Sequence, residues 1–410
     1  MLGEARLPHR LIVWAFVAMA LDIGVARIAY GTVLPALRRD LDLSFLLGGV
    51  LSAANLAAYL AGTLLAPLLA RRVSMPALAR WGHAVFAAGA LATGIAADVH
   101  VLALGRGLTG LGAGIGLLAL LVVVFERTRP DLRPVVSAAV WSGIGLAIVL
   151  SGLAAPILLS DAGNWRWAFL VSACLCLLVV YEVGRLPGTT GVVRQPSKEA
   201  RPLRPRPIPA WIGLFGAYFM FGVGYIAYST FVGGRLAAAQ APIGTVILSW
   251  VSLGLGSIAG SALGAALLWS RRWKPLTLVL AFLSGSTGSL AALLPGSAGP
   301  LAGALLVGLG LASTPAIVTA FVRERTGDAD YARVFSLATA ALGIGQLLGP
   351  VIAGAMADHF GPDVVMVFAA GAYGAGALLA AWDLLADRGY AGPVATGVSS
   401  REPHSAQDPS

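Results

Sequence analysis

Charge and cysteine are both scarce in this chain. Only 11% of its 410 residues are charged, and the mean hydropathy is +0.82. A water-soluble domain carries about 25% charged residues, so that class is excluded. The two cysteines, Cys174 and Cys176, sit two apart in one apolar run and point to different helix faces. That spacing excludes a disulfide framework and a metal-ligand set, and both read as buried thiols without chemistry. The chain also lacks a His-Glu-x-x-His pair, a nucleophile elbow and a phosphate loop. Catalysis, a metal and a cofactor therefore have no support in the sequence.

Long apolar runs fill the space that charge leaves. A crossing needs about 20 apolar residues, and twelve such runs are expected at 11–37, 45–70, 76–97, 101–125, 135–159, 167–184, 210–232, 243–269, 275–294, 298–322, 334–356 and 362–382. The backbone in lipid must satisfy its own hydrogen bonds, so the fold class is an all-α membrane protein. The 52 glycines then serve close helix packing, as in Gly256-x3-Gly260-x3-Gly264. Gly110-x-Gly112-x-Gly114 reads the same way, because no strand precedes it as a dinucleotide fingerprint requires.

Gly24-Val25-x-x-Ile28-Ala29-Tyr30-x-Thr32 returns 198 positions later as Gly222-Val223-x-x-Ile226-Ala227-Tyr228-x-Thr230. Glu126-Arg127-Thr128 and Glu324-Arg325-Thr326 share that offset. Six expected spans separate corresponding points, which makes two parallel six-helix repeats. The domains follow as 1–184, a Pro- and Arg-rich linker over 185–209, 210–384, and a polar tail over 385–410 expected to be disordered. Of the 28 Lys and Arg residues, Arg38, Arg39, Arg166 and Arg235 lie on one side and Arg27 and Arg106 within spans; all the others lie on the side of the termini. The positive-inside rule makes that side cytoplasmic, in a multi-pass protein of the cytoplasmic (inner) membrane. The net charge of +9 thus belongs to topology, leaving no nucleic-acid surface to explain.

Four motifs carry a family resemblance along the whole chain. They are Pro35-x-Leu37-x-x-Asp40-Leu41-x-Leu43-Ser44, Leu102-x3-Arg106-x2-Thr109-Gly110-x-Gly112-Ala113-Gly114, Asn164-Trp165-Arg166-Trp167-Ala168-Phe169 and Gly345-Gln346-x2-Gly349-Pro350-x3-Gly354-x3-Asp358-x2-Gly361. Together they resemble the major facilitator superfamily. Gly24–Tyr30, Phe221–Tyr228 and Trp141–Leu146 are most similar to its poorly characterised YbfB/YjiJ-like branch, which implies no particular substrate. Two departures stand out. Ala70-Arg71-Arg72-Val73-Ser74-Met75-Pro76 lacks the glycine and acid of the usual gating loop, and Gly152 with Pro156 replaces the Gly-Pro pair of drug/proton antiporters.

Charges within spans are the best pointers to a site, since each costs about 2.5–3.5 kcal/mol at a span centre. Asp22 and Arg106 are candidates for proton coupling or for a permanent ion pair. On an α-helix Arg27 and Tyr30 share a face, whereas Asp22 and Arg27 stand about 140° apart. Arg27, Tyr30, Asn55, Tyr225, Tyr228 and Gln346 are therefore the candidate cavity lining, and His83 reads as a structural hydrogen-bonding residue. Arg71, Arg72, Glu126, Arg127, Glu324 and Arg325 are candidates for gating at helix ends. The expected function is secondary active transport by alternating access, with a small-molecule substrate, protons and the bilayer as partners. A multidrug or metabolite exporter of the same fold is the alternative, and an intramembrane receptor or enzyme is the alternative from another class. Arg27 suits a small organic anion unless it pairs with an acid on another helix or snorkels outward.

Overall fold

The computed structural model describes residues 9–129, 131–161, 164–186, 211–269 and 276–390, and among these no strand occurs. Most of the expected linker, the basic residues Arg271, Arg272 and Lys274, and the tail beyond 390 lie outside the described residues. The helices are α1 (His9–Met19), a π-helical segment (Ala20–Ile28), α2 (Tyr30–Asp40), α3 (Phe45–Leu69), α4 (Met75–Gly94), α5 (Val99–Glu126), α6 (Arg133–Leu158) and α7 (Arg166–Gly184). After the expected linker come α8 (Ile212–Ala238), α9 (Ile243–Trp269), α10 (Thr277–Ala291), α11 (Ala298–Phe360) and α12 (Asp363–Tyr390). Ten stretches among the described residues are long and apolar enough to cross a membrane. Two of the twelve expected spans correspond to helices outside that set: α4, which carries Arg80 and His83, and α10, which is 15 residues long.

Local chemistry sets the helix starts. Ser44 Oγ accepts from Leu47 N (3.1 Å) at the start of α3, and Asp98 Oδ1 accepts from His100 N (2.8 Å) and Val101 N (3.0 Å) at the start of α5. The Val101 and His100 N–H groups hold the Asp98 carboxyl below the usual carboxylate range. This cap is complete above the ordinary carboxylate value and is lost as pH falls through the lowered one.

The sequence pattern misplaces one boundary. A break is expected at 323–333, yet α11 runs without interruption through two candidate spans, Ala298–Thr326 and Arg333–Phe360. Charged residues mark a membrane edge, but Arg, Glu and Ala are good helix formers and no proline intervenes to stop the helix.

The 198-residue offset reappears in backbone geometry. Asp42 and Gln240 are the two non-glycine residues with positive φ among those described, at 49° and 50°. Each closes the helix before it in the same way: Leu43 N donates to Arg38 O (3.0 Å), and Ala241 N donates to Leu236 O (2.9 Å). Thr128 Oγ1 donates to Val124 O (2.7 Å) and Thr326 Oγ1 to Val322 O (2.8 Å), again at that offset.

Helices up to α7 pack chiefly on one another, as do α8–α12; α2 meets α8, α3 meets α11 and α6 meets α9 between the groups. Small residues make these seams. A Cβ on Gly31 would overlap the Ser229 carbonyl oxygen, and one on Gly233 would overlap that of Gly31. Gly256, Gly260 and Gly264 lay α9 against α11, while Gly110, Gly112 and Gly114 let α5 touch the backbones of α3 and α4. Close approaches of α3 to α11, Gly49 against Pro350 O and Gly354 against Phe45 O, lie at the start of α3 beside the Asp42 turn. There the Asp358 carboxylate accepts from Phe45 N (2.7 Å) and Leu46 N (2.8 Å), capping α3 from α11. Beside these contacts is a cavity of about 580 Å³ lined by Thr32, Arg38, Arg39, Phe45, Gly234 and Val246 among others.

Each group is also tied at its ends by charge. Asp40 accepts from Trp165 Nε1 (3.0 Å) and from the Arg166 guanidinium, whose second nitrogen donates to Ala96 O (2.8 Å). In the second group the polarity is reversed, Arg235 on α8 meeting Asp363 on α12 (3.3 Å) and donating to Leu293 O (3.2 Å). Arg10–Glu182 (3.1 Å) and Arg325–Asp383 (2.7 Å) tie the opposite ends.

Candidate functional site

The π-helical segment positions the ionisable residues of the first span. Its backbone bonds reach five residues, ending with Ala29 N to Gly24 O (2.8 Å). Such segments are rare and occur often at functional sites. An angular separation of Asp22 and Arg27 taken from α-helical geometry therefore does not apply. The two side chains nevertheless leave the segment for different partners, both buried.

Arg27 lies over the ring of Tyr59 on α3, 4.2 Å from its centroid, and faces Tyr225 on α8. The Tyr225 hydroxyl accepts from Gln346 Nε2 on α11 at 2.5 Å. Among the described residues Arg27 forms no ion pair, and its Nε is buried without a hydrogen-bond partner. Arg27, Tyr59, Tyr225 and Gln346 thus form one polar cluster joining both groups of helices. Behind it Tyr225 stacks on Phe221 (4.9 Å between centroids), which meets Phe282 and Tyr373 edge-on. A guanidinium face with hydroxyl and amide groups on an aromatic wall can hold a planar, anionic ligand by charge-assisted hydrogen bonds and stacking.

Other sequence-predicted residues do not converge there. The ring of Tyr30 lies under Arg106, 4.2 Å from its guanidinium carbon, and its hydroxyl donates to Gly48 O (3.3 Å). Tyr228 is fully buried with its hydroxyl unpartnered. The position 198 residues after Arg106 is Ala304, so Tyr228 lacks the corresponding cation. Asn55 is spent within the first group, donating to Arg106 O (2.9 Å) and Thr109 Oγ1 (3.0 Å). Asn55→Leu is expected to cost about 1–3 kcal/mol by removing two buried hydrogen bonds, lowering the unfolding temperature while sparing the Arg27 cluster. Thermal unfolding of the purified protein checks this, and an unchanged midpoint would return Asn55 to the candidate ligand contacts.

Arg106 is not the counter-charge of Asp22. It donates through Nη1 to Ala26 O (2.5 Å) and is otherwise held by Tyr30, with Nε and Nη2 unpartnered. Asp22 instead faces His83 on α4, Oδ2 to Nε2 at 3.2 Å. Cys176 Sγ donates to His83 O (3.2 Å), whereas Cys174 is exposed, so only one of the expected buried thiols is buried.

Arg71 and Arg72 occupy the exposed turn after α3. Glu126 ends α5 and Arg127 caps it, but Glu324 and Arg325 lie inside the uninterrupted α11 and mark no helix end. Arg325 is held by Asp383. Tyr59 is the residue that sequence reasoning missed. It stands one helical turn beyond Asn55 on α3, a spacing that puts polar groups on neighbouring positions of one face.

A bundle of apolar helices enclosing a polar cluster where two groups of helices meet is the construction of a membrane transporter. Solved structures share the fold: nucleoside transporter NupG has a TM-score of 0.71 at 12% identity, covering 93% of this chain and 99% of that one. A D-xylose-proton symporter has a TM-score of 0.70 at 15% identity, covering 92% and 97%. Residues 19–383 match the family described as uncharacterised MFS-type transporter YbfB, and the chain belongs to that family. The 3-(3-hydroxy-phenyl)propionate transporter of Escherichia coli (strain K12) is 28% identical over 363 residues, covering 86% of this chain and 87% of that one. These relatives are transporters and not enzymes.

Proposed function

We propose that this chain is a proton-coupled secondary transporter that binds a small organic anion, most suitably an aromatic carboxylate, at the Arg27 cluster. The observation that carries this reading is a buried guanidinium with aromatic and hydrogen-bonding neighbours and no carboxylate among its described partners. A ligand carboxylate would supply the missing charge bidentately. The name of the Escherichia coli relative, an aromatic carboxylate transporter, supports the same chemistry.

The reading includes twelve membrane helices in two parallel six-helix repeats, 1–184 and 210–384, joined by the linker 185–209 and followed by the tail 385–410. The paired left-handed turns at Asp42 and Gln240 support the repeat. Both termini and the linker are cytoplasmic in the inner membrane, which makes the Asp42 end periplasmic. Contacts of α3 with α11 near that end fit a site closed to the periplasm. Rocking of the two repeats then exposes the site alternately.

A thermal-shift screen of purified protein tests the ligand class, because specific binding stabilises the folded state. Aromatic carboxylates such as 3-(3-hydroxyphenyl)propionate are expected to raise the unfolding temperature, and their neutral amides are not. Stabilisation by neutral or cationic compounds alone rejects the anion reading. Proteoliposome flux of a stabilising compound then tests transport. Substituted-cysteine labelling from the periplasm is expected to reach His100 but not linker residue 195; the reverse pattern overturns the orientation.

A further inference from the structure

Asp22 and His83 are enclosed within the first group of helices, apart from the Arg27 cluster. Asp22 Oδ2 and His83 Nε2 lie 3.2 Å apart at the edge of hydrogen-bond geometry, with both side chains shielded from solvent. Leu21, next to Asp22 in the chain, belongs to a buried apolar cluster with Ala26, Phe86, Ala90 and Ala173. Among the described residues neither Asp22 oxygen has a further hydrogen-bond partner.

The other ring nitrogen settles how many protons the pair holds. His83 Nδ1 lies 2.7 Å from Ala79 O, and a carbonyl oxygen can only accept, so Nδ1 carries a hydrogen. The Nε2···Oδ2 gap then contains one proton or none. With one, the pair is either imidazolium with carboxylate or neutral imidazole with carboxylic acid, and its net charge is zero. With none, a nitrogen lone pair faces a buried carboxylate with nothing to relieve it, which makes separation of the partners favourable.

Neighbouring ionisable groups are turned elsewhere. Cys176 of α7 donates its thiol to the His83 carbonyl. Arg27 of the π segment and Tyr59 of α3 face each other, and Arg106 of α5 engages Ala26 and the Tyr30 ring of α2. Tyr225 of α8 is held by Gln346. Helix α6 meets the segment through Ile144 and Ala147 at Gly24, and α1 brings Val17.

We infer that Asp22 and His83 form a single proton-binding site between the π segment and α4, physically separate from the ligand cluster; this rests on the proton-coupled reading above. Uptake adds one proton from water to the Nε2···Oδ2 gap and takes the pair from a net charge of minus one to zero. Release returns that proton as α4 and the π segment part. Because Arg27 lies in the last turn of the same segment, displacement of that segment moves both sites.

Protein carrying isotope-labelled histidine, reconstituted in phosphatidylcholine vesicles, is titrated from about pH 4 to about pH 9, spanning ordinary carboxyl and imidazole values. Nitrogen NMR is expected to find one histidine, absent in His83→Gln, whose neutral form bears its proton on Nδ1. Infrared difference spectra are expected to follow uptake of one proton that disappears in both His83→Gln and Asp22→Asn. A neutral His83 protonated on Nε2, a pair unchanged across the whole range, or an unaltered titration in Asp22→Asn overturns the site. If either variant fails to fold, the tautomer and titration of the labelled parent decide. Gradient-driven uptake of 3-(3-hydroxyphenyl)propionate separates the two readings. Titration without gradient dependence supports the site and rejects coupling, whereas gradient dependence without titration rejects the site and leaves coupling standing.

Discussion

An Arg27→Gln protein is expected to lose aromatic carboxylate binding almost completely while still folding. A hydrogen bond to a charged group contributes about 1.5–3 kcal/mol, and loss of one such bond corresponds to roughly 10- to 150-fold in Kd. Two parallel bonds from a guanidinium fork would take the loss beyond that range. Arg27→Lys keeps the charge but not the planar fork or its stacking on Tyr59, so it is expected to fall between Gln and the parent. Folding is spared because a buried cation without an acidic partner contributes little to stability. Binding isotherms and unfolding midpoints on the same preparations separate the two effects. Arg27→Gln binding a carboxylate as tightly as the parent would remove Arg27 from the ligand site.

Gly31→Val is expected to stop turnover by a different route, leaving the Arg27 cluster intact. At this seam a side chain on α2 would meet the Ser229 carbonyl oxygen of α8, and Gly233 meets the Gly31 carbonyl in return. Overpacking of a close seam costs about 1–3 kcal/mol or more. Borne only by the state in which α2 and α8 touch, that cost shifts the equilibrium between states by roughly 5- to 150-fold. Net flux should fall accordingly, and a cysteine at Ala237, beside the cavity at that end, should become more reactive to a periplasmic reagent. Unchanged flux and reactivity would mean that the two helices do not separate during transport.

Much of the architecture was legible because lipid leaves the backbone few options. Apolar run lengths gave the helices, and the spacing of small residues anticipated the seams at Gly256 and Gly112. Arg27 and Tyr225 stand 198 positions apart, at the offset of the recurring string, and the structure brings both beside Gln346. The partners of Asp22 were not legible. His83 is 61 positions away, and nothing in a hydropathy pattern reports a π-helical segment, so a face calculated from α-helical geometry could not be relied on. For Asn55 and Tyr30 the sequence left the partner open, because a polar group in a span fits an interhelical bond as well as a ligand contact, and in the structure they meet Arg106 and Thr109. The unbroken α11 was missed because charged residues signal where lipid ends rather than where helix ends.

The tie between α3 and α11 has a genetic consequence. Its side-chain member is Asp358, whose partners among the described residues are the backbone N–H groups of Phe45 and Leu46. Substitutions at Phe45 or Leu46, proline aside, leave those donors in place, so the contact can be lost through one codon far more readily than through the other two. An allele-specific suppressor of Asp358→Ala cannot arise by recharging the opposite residue, as it can for Arg325 and Asp383. Revertants of such a strain should map elsewhere, to positions that weaken the competing open arrangement.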